Sequence, residues 1–235
     1  MERVRISELL DSDSGTPDEI ASSLADLTRI NHWFGGVATT CSMVQYVAEK
    51  MGTRSFSLLE VGAGSGYVPR AARERLNRRG VQLHLTLLDR APSHLGNGVG
   101  PSLPRIAADA GALPFASQSF DLVSSCLLAH HFSPQELLRV VAEGLRVARI
   151  AVLINDLVRH PIHLALGYAG WPLYRSRLTR HDAVASIRQA YTPDEIEEIL
   201  KPASAGIVIR RHTLFRMGVV AFKPGLLSSL AGSHG

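Results

Sequence analysis

A chain of 235 residues, 46% hydrophobic and 20% charged, is long enough to bury one sizeable core and too apolar to stay disordered, so one folded unit is expected. Its formal net charge of +4 comes from basic residues that are almost all arginine, with Lys50, Lys201 and Lys223 the only lysines. They are spread along the chain and form no concentrated stripe of the kind that binds nucleic acid. No run approaches the roughly eighteen apolar residues of a spanning helix, and "MERVRISELL" lacks the apolar stretch of a signal peptide. Cys41 and Cys126 are far apart and fit no metal spacing, so a reducing cytoplasm is the expected location and no metal ligand set is expected.

In chain order, the helix starts are the best-marked features. Thr16-Pro17-Asp18-Glu19, Ser133-Pro134-Gln135-Glu136 and Thr192-Pro193-Asp194-Glu195 each set a capping hydroxyl, a first-turn proline and a third-position acid in sequence. After the first of these, Ile20, Leu24, Leu27 and Ile30 recur at helical spacing, and a second helical stretch follows the break at Phe34-Gly35-Gly36. Residues 1–52 are therefore expected to be N-terminal cap helices. From Phe56, short apolar strands alternate with helical segments: "FSLLEV", "VPRAARERLNRRG", "VQLHLTLLD", then "FDLVSSCLL", "ELLRVVAEGL" and "VARIAVLIND". This alternation predicts a mostly parallel sheet covered on both faces over residues 53–156.

Residues 157–190 are longer than a plain connection and carry Ile162, Leu164, Leu166, Tyr168, Trp171, Leu173 and Tyr174, enough for an apolar wall over a ligand. Residues 191–223 hold a helix and two β-rich runs in "GIVIRRHTLFRMGVVAFK", too close for a crossover helix, which predicts an antiparallel pair at the sheet edge. "GLLSSLAGSHG" then reads as a tail over 224–235.

Ligands of open parallel sheets sit beyond the carboxyl ends of the strands, where strand order reverses. Glu60-Val61-Gly62-Ala63-Gly64-Ser65-Gly66 ends such a strand, and its glycines let the backbone turn sharply and approach a ligand closely. The spacing is not that of a dinucleotide fingerprint: the third glycine comes one residue early and Tyr67 stands where it would be needed.

An acid followed by Gly-x-Gly-x-Gly after the first strand resembles the first motif of class I S-adenosylmethionine-dependent methyltransferases. Three further features resemble the same family in order: Asp89 at the end of "LTLLDR", Asp109 in "AADAGALPF", and the run "LPFASQSFDLVSS". The resemblance spans about Phe56 to Asp156. It implies a Rossmann-like α/β fold with seven strands, and S-adenosylmethionine as cofactor, leaving as S-adenosylhomocysteine. By the same resemblance, Asp89 would hold the ribose hydroxyls, Asp109 the adenine, and Glu60 the glycine loop and the methionine amino group. Gly62, Ala63, Gly64, Gly66, Arg90, Ala110 and Leu127 would complete the cofactor site.

Methyl transfer from a sulfonium needs an aligned nucleophile and, where required, removal of its proton. His130 and His131 leave the fourth strand in "CLLAHHF", and imidazole titrates near neutral pH, so His131 is favoured as base or orienter with His130 beside it. Trp33, His160, Tyr168 and Trp171 are expected to contact substrate from the two caps. An apolar cap points to a greasy or aromatic small-molecule substrate, and "INHWFGG" with "NDLVRHP" and "HDAVASIRQAYTPDEIEEIL" resembles bacterial small-molecule methyltransferases, some with polyketide- or quinone-like products, which implies O-methylation of an apolar phenolic or polyketide-like compound. The alternatives are C-methylation of a quinone- or lipid-like substrate, an RNA or protein methyltransferase, and a non-catalytic cofactor-binding module. The fourth strand lacks the Asn/Asp-Pro-Pro-aromatic motif used on amide or exocyclic nitrogens, and "EGLRVARIAV" replaces the Pro-Gly-Gly turn common before the fifth strand, which leaves the subfamily open. Oligomeric state is not legible.

Overall fold

The computed structural model describes residues 1–11, 15–95 and 103–226. Its first half runs α1 (Pro17–Trp33), α2 (Gly36–Met51), β1 (Ser55–Val61), α3 (Tyr67–Asn77), β2 (Gln82–Asp89), β3 (Arg105–Ala107) and β4 (Phe120–Cys126). The second half runs α4 (Pro134–Val147), β5 (Ala148–Leu157), α5 (Pro161–Ala169), α6 (Arg177–Gln189), α7 (Pro193–Leu200), β6 (Gly206–His212) and β7 (Arg216–Phe222). The three marked helix starts each close a full capping box. Thr16, Ser133 and Thr192 accept the backbone N–H of Glu19, Glu136 and Glu195, whose carboxylates accept the cap residue's own N–H.

The seven strands form one sheet in the order β3-β2-β1-β4-β5-β7-β6. The pairs from β3 to β5 are parallel, while β7 runs antiparallel to both β5 and β6. The edge pair expected at the C-terminus is thus present, with the last strand inserted between β5 and β6. β3 is three residues long, too short to show a period, and no sequence pattern marks it.

Period-two alternation divides the strand side chains between two cores. Leu59, Val61, Val123, Val152 and Ile154 pack with Leu137, Val141 and Leu145 of α4 and with Ile196 and Leu200 of α7. Phe56, Leu58, Leu122, Leu153 and Phe222 pack on the other face with Val44 and Val47 of α2 and Ala72 and Leu76 of α3. Burial on both faces explains why these strands read as nearly unbroken apolar runs.

The chain builds outward from β1 to β3, then returns to place β4 on the other side of β1. The reversal lies between β1 and β4, and their carboxyl ends carry Glu60 and the turn leading to His130 and His131. Among the described residues, no helix is long and apolar enough to cross a membrane.

The stretch expected to cap the substrate takes a different course. α5 packs on α6, and α6 packs on α1 and on the 3₁₀ turn Ala129–His131. α5 meets α6 through Gly167, where an added Cβ would lie 2.8 Å from Ile187 Cδ1. That contact leaves Ile162, Leu166, Tyr168, Trp171 and Leu173 facing outward. Of the 224–235 tail, only its first residues are described.

Candidate active site

At the carboxyl ends of β1, β2 and β4 lies an open cavity of about 620 Å³, within the range of small-molecule sites. Gly62, Gly64 and Gly66 hold φ of 67°, 51° and 69°, a region that side-chain-bearing residues avoid. A Cβ at Gly64 would meet no protein atom within 4 Å and would project into the cradle, whereas one at Gly66 would strike Leu87 Cδ1 at 2.6 Å. Gly64 thus keeps room for a ligand, and Gly66 permits α3 to dock on β2. Gly66 itself is buried behind the cavity wall.

Asp89 ties this loop to β2. One carboxylate oxygen accepts the Gly64 N–H at 2.8 Å and the other the Ala91 N–H at 3.0 Å. A carboxylate offers about four acceptor positions, so about two remain for a pair of ribose hydroxyls. Glu60 is only 1% exposed, and burial pushes its carboxyl up to about 7. Among the described residues its Oε2 makes no well-aligned hydrogen bond, with the Ser124 hydroxyl its one polar influence, and the residue borders the cavity. A buried, orphaned carboxylate oxygen suits a cationic ligand group. Ala63, Arg90, Asp109, Ala110 and Leu127 line the same cavity. Asp109 is exposed, with Oδ1 accepting the Gly111 N–H at 2.7 Å, and Leu127 holds a left-handed φ of 57° just after β4.

The other side of the cavity is assembled from remote parts of the chain. Arg3 donates to the carbonyls of Gln189, His130 and Phe132 at 2.6, 3.0 and 2.8 Å, and its guanidinium lies 3.9 Å over the Tyr191 ring. Asp182 accepts the N–H groups of Leu9 and Leu10 at 2.8 and 3.0 Å. These anchors carry Glu8 and Asp11 onto the histidine pair. Asp156, at the end of β5, lies 2.6 Å from His130 Nδ1, and Asp11 lies 2.7 Å from His131 Nδ1. Glu8 Oε1 is 3.3 Å from His130 Nε2, and Glu8 Oε2 is 3.9 Å from His131 Nε2.

Burial would lower the pKa of His130, but Asp156 and Glu8 outweigh it and push the imidazolium up to about 10. Both acids are held in the charged form below the usual carboxylate range against their own burial. Glu8 also accepts from Ser186 Oγ at 2.6 Å and Gln189 Nε2 at 2.7 Å. Leu24 and Leu27 of α1 and Phe132 supply apolar lining.

Behind this wall Arg216, 1% exposed, donates to Asn31 Oδ1 at 2.7 Å and Asn155 Oδ1 at 3.0 Å. Asn155 in turn donates to the Gly36 carbonyl at 2.7 Å and Thr40 Oγ1 at 2.9 Å. The network fastens α1 and α2 to the sheet and so sets the height of the cavity wall.

Four expected substrate residues are not brought to this cavity. Trp33 is 73% exposed at the end of α1. His160 caps α5, its Nδ1 accepting the Ile162 N–H at 3.2 Å, and it stacks on Phe215 with centroids 5.0 Å apart. Tyr168 and Trp171 pack on each other at 5.5 Å on the outer surface. The large apolar residues of the expected 157–190 cap follow the helix onto solvent, while Ser186 of that stretch borders the cavity beside residues of 1–11 and of α1, the other expected cap. Sequence reasoning missed Glu8, Asp11 and Asp156. The one local signal was the polar pair Asn155-Asp156 ending an otherwise apolar strand.

Residues 59–151 match the model of a methyltransferase-domain family. No curated protein sequence matches the chain. Among solved structures, the plantazolicin methyltransferase BamL, with a triazolic desmethylPZN analog and SAH, is similar with a TM-score of 0.61 and 14% identity over 88% of this chain and 97% of that one. Human N-acetylserotonin methyltransferase in complex with SAM gives 0.59 and 14% over 85% of this chain and 54% of that one, so this chain spans about half its length. An O-methyltransferase family 2 protein from Planctomyces limnophilus, complexed with apigenin, gives 0.51 and 19% over 72% and 50%. At these identities the likeness is one of fold.

Strand order and glycine loop give the chain the Rossmann-like fold of class I methyltransferases, and residues 59–151, less than half of it, match the methyltransferase-domain model. Solved chains of similar fold hold S-adenosylmethionine or S-adenosylhomocysteine as cofactor. The residues present fit that cofactor: an acid with acceptor capacity at Asp89, an open cradle at Gly64, and an orphaned carboxylate at Glu60.

Proposed function

We propose that the enzyme transfers the methyl group of S-adenosylmethionine to an oxygen of an apolar, aromatic small molecule, phenolic or polyketide-like in kind. The observation that carries this reading is the cluster of Glu8, Asp11, His130, His131 and Asp156, four of whose five members border the cavity that the glycine loop and Asp89 also line. A hydroxyl is a poor nucleophile until its proton is removed or loosened, and this cluster supplies an oriented imidazole, His131, for that task. Of the pair, His130 is held between two acids. His131 is half-buried, with Nδ1 engaged by Asp11 and Nε2 left for the acceptor side.

Leu24, Leu27 and Phe132 favour an apolar acceptor. Similar folds named for or solved with N-acetylserotonin and apigenin support a small-molecule substrate. The two free thiols, Cys41 and Cys126, are consistent with a reducing cytoplasm. In the proposed step the oxygen lone pair forms the new bond to the methyl carbon, the C–S pair moves onto sulfur, and the hydroxyl proton leaves through the cluster.

The test is incubation of the purified enzyme with methyl-labelled S-adenosylmethionine and a cell lysate, fractionated into protein, nucleic acid and organic-soluble pools. Label is expected in the organic pool, on oxygen. Label confined to protein or RNA overturns the proposal, as does an organic product methylated on carbon or nitrogen. Cofactor binding with no label in any pool favours a non-catalytic binding module.

A further inference from the structure

We infer that Glu8, His130 and His131 form a binding site for a divalent transition-metal ion, zinc-like in its ligand preferences. Each offers one ligand atom, and these atoms all lie within 4.8 Å of one another. Two ligands of a tetrahedral zinc ion stand roughly 3.3 Å apart, given metal–ligand bonds of about 2.0–2.1 Å. His130 Nε2 lies 3.3 Å from Glu8 Oε1, at that figure, while His131 Nε2 lies 3.9 Å from the other oxygen, Oε2, so a bound ion would draw the three ligand atoms together by up to about 1.5 Å from their 4.8 Å limit.

The surroundings are those a metal-binding imidazole requires. Both histidines turn Nδ1 onto a carboxylate, Asp156 at 2.6 Å and Asp11 at 2.7 Å, which fixes each ring and leaves both Nε2 atoms for a common ligand. His130 is 1% exposed, and among the described residues its Nε2 makes no well-aligned hydrogen bond although Glu8 lies nearby. A buried ring nitrogen left in this way needs either a proton or a metal ion to balance the carboxylates around it. Three protein ligands leave a fourth position, and the cavity lies on that side.

This departs from the expectation that the chain holds no metal ligand set. That expectation rested on sequence spacing, and Glu8 reaches the pair only through the fold.

The ion's role deepens the proposed O-methylation and rests on it; the ion's binding does not. In that role the imidazoles serve as ligands and no longer as proton acceptors: the acceptor oxygen takes the open position, its anion is stabilised by the ion, and its proton passes to solvent water in place of the cluster. The oxygen lone pair then bonds to the methyl carbon as the C–S pair moves onto sulfur.

The test uses the full-length chain after chelator treatment and dialysis, with zinc titrated by calorimetry and cobalt(II) followed by its visible absorption. One ion per chain is expected. Glu8→Gln and His131→Ala should weaken binding at least about tenfold, and Asp11→Asn about 10- to 100-fold, the effect of losing an orienting carboxylate. His181→Ala removes the ring of a different His–Asp pair and should leave binding unchanged. Wild-type affinity for S-adenosylhomocysteine in Glu8→Gln will show that the variant is folded. The proposal is overturned if the folded wild-type protein takes up no ion, or if Glu8→Gln and His131→Ala bind it as tightly as wild type. Metal binding as expected with methyl delivered elsewhere than oxygen overturns the proposed function and keeps the site. Oxygen methylation with no bound ion does the reverse.

Discussion

The two sides of the cavity are built in opposite ways. The cofactor side comes from β1, the loop after it and the end of β2, so its parts are close in sequence and held by backbone geometry: three glycines at positive φ and Asp89 bonded to the loop. The acceptor side draws residues 8, 11, 130, 131 and 156 together by side-chain contacts across the whole chain. A local loop encodes its ligand in a short motif, whereas a cluster drawn from three elements encodes its chemistry only once those elements pack.

The comparison can be broken most severely at His131. His131→Ala should lower kcat by about 10²- to 10⁴-fold, the usual worth of a group that activates a nucleophile, with cofactor affinity near wild type. Equal losses in both measurements would show that the two sides are not separable.

Asp89→Ala should act on the other side, weakening S-adenosylhomocysteine binding about 10- to 100-fold, as expected for loss of hydrogen bonds worth about 1.5–3 kcal/mol to a charged group. Unchanged affinity by calorimetry would refute the assignment of the cofactor side.

A smaller effect follows from Glu60. Its folded pKa is raised to about 7, so the free protein holds a proton there that an unfolded carboxyl would have lost. The sign is that Glu60 costs stability progressively as pH rises from the ordinary carboxylate range toward 7. A cationic cofactor favours the charged form and expels the proton, so affinity should rise about tenfold between about pH 6 and about pH 8 and then level off. Glu60→Gln should flatten that profile, and a slope that persists in the variant would assign it to another group.

The smallest effect is expected from Tyr168→Ala and Trp171→Ala. Both residues lie on the outer surface, so kcat and KM should stay within about twofold of wild type, surface changes being worth about 0.5 kcal/mol or less. A large rise in KM would return the 157–190 stretch to the role of substrate cap.

Much of the architecture was legible because its signals are local. Capping boxes at Thr16, Ser133 and Thr192 satisfy a helix's own first turn, and strand runs such as 151–154 are apolar because both sheet faces are covered. β3 escaped notice because three residues carry no period. The apolar residues of α5 misled because a helix's composition does not say which face meets its neighbour. Gly167 against Ile187 made that choice, and Trp171 was left outside.

The sequence by itself determined the class of fold, the capped helices and the glycine loop with its acids, since each depends on backbone conformations and spacings within a few residues. The tertiary structure alone decided which segment closes the site and which acids face His130 and His131. Arg3 and Asp182 fasten residues 1–11 to the turn and to α6 and so hold Glu8 against the pair, a contact that only the packed chain contains.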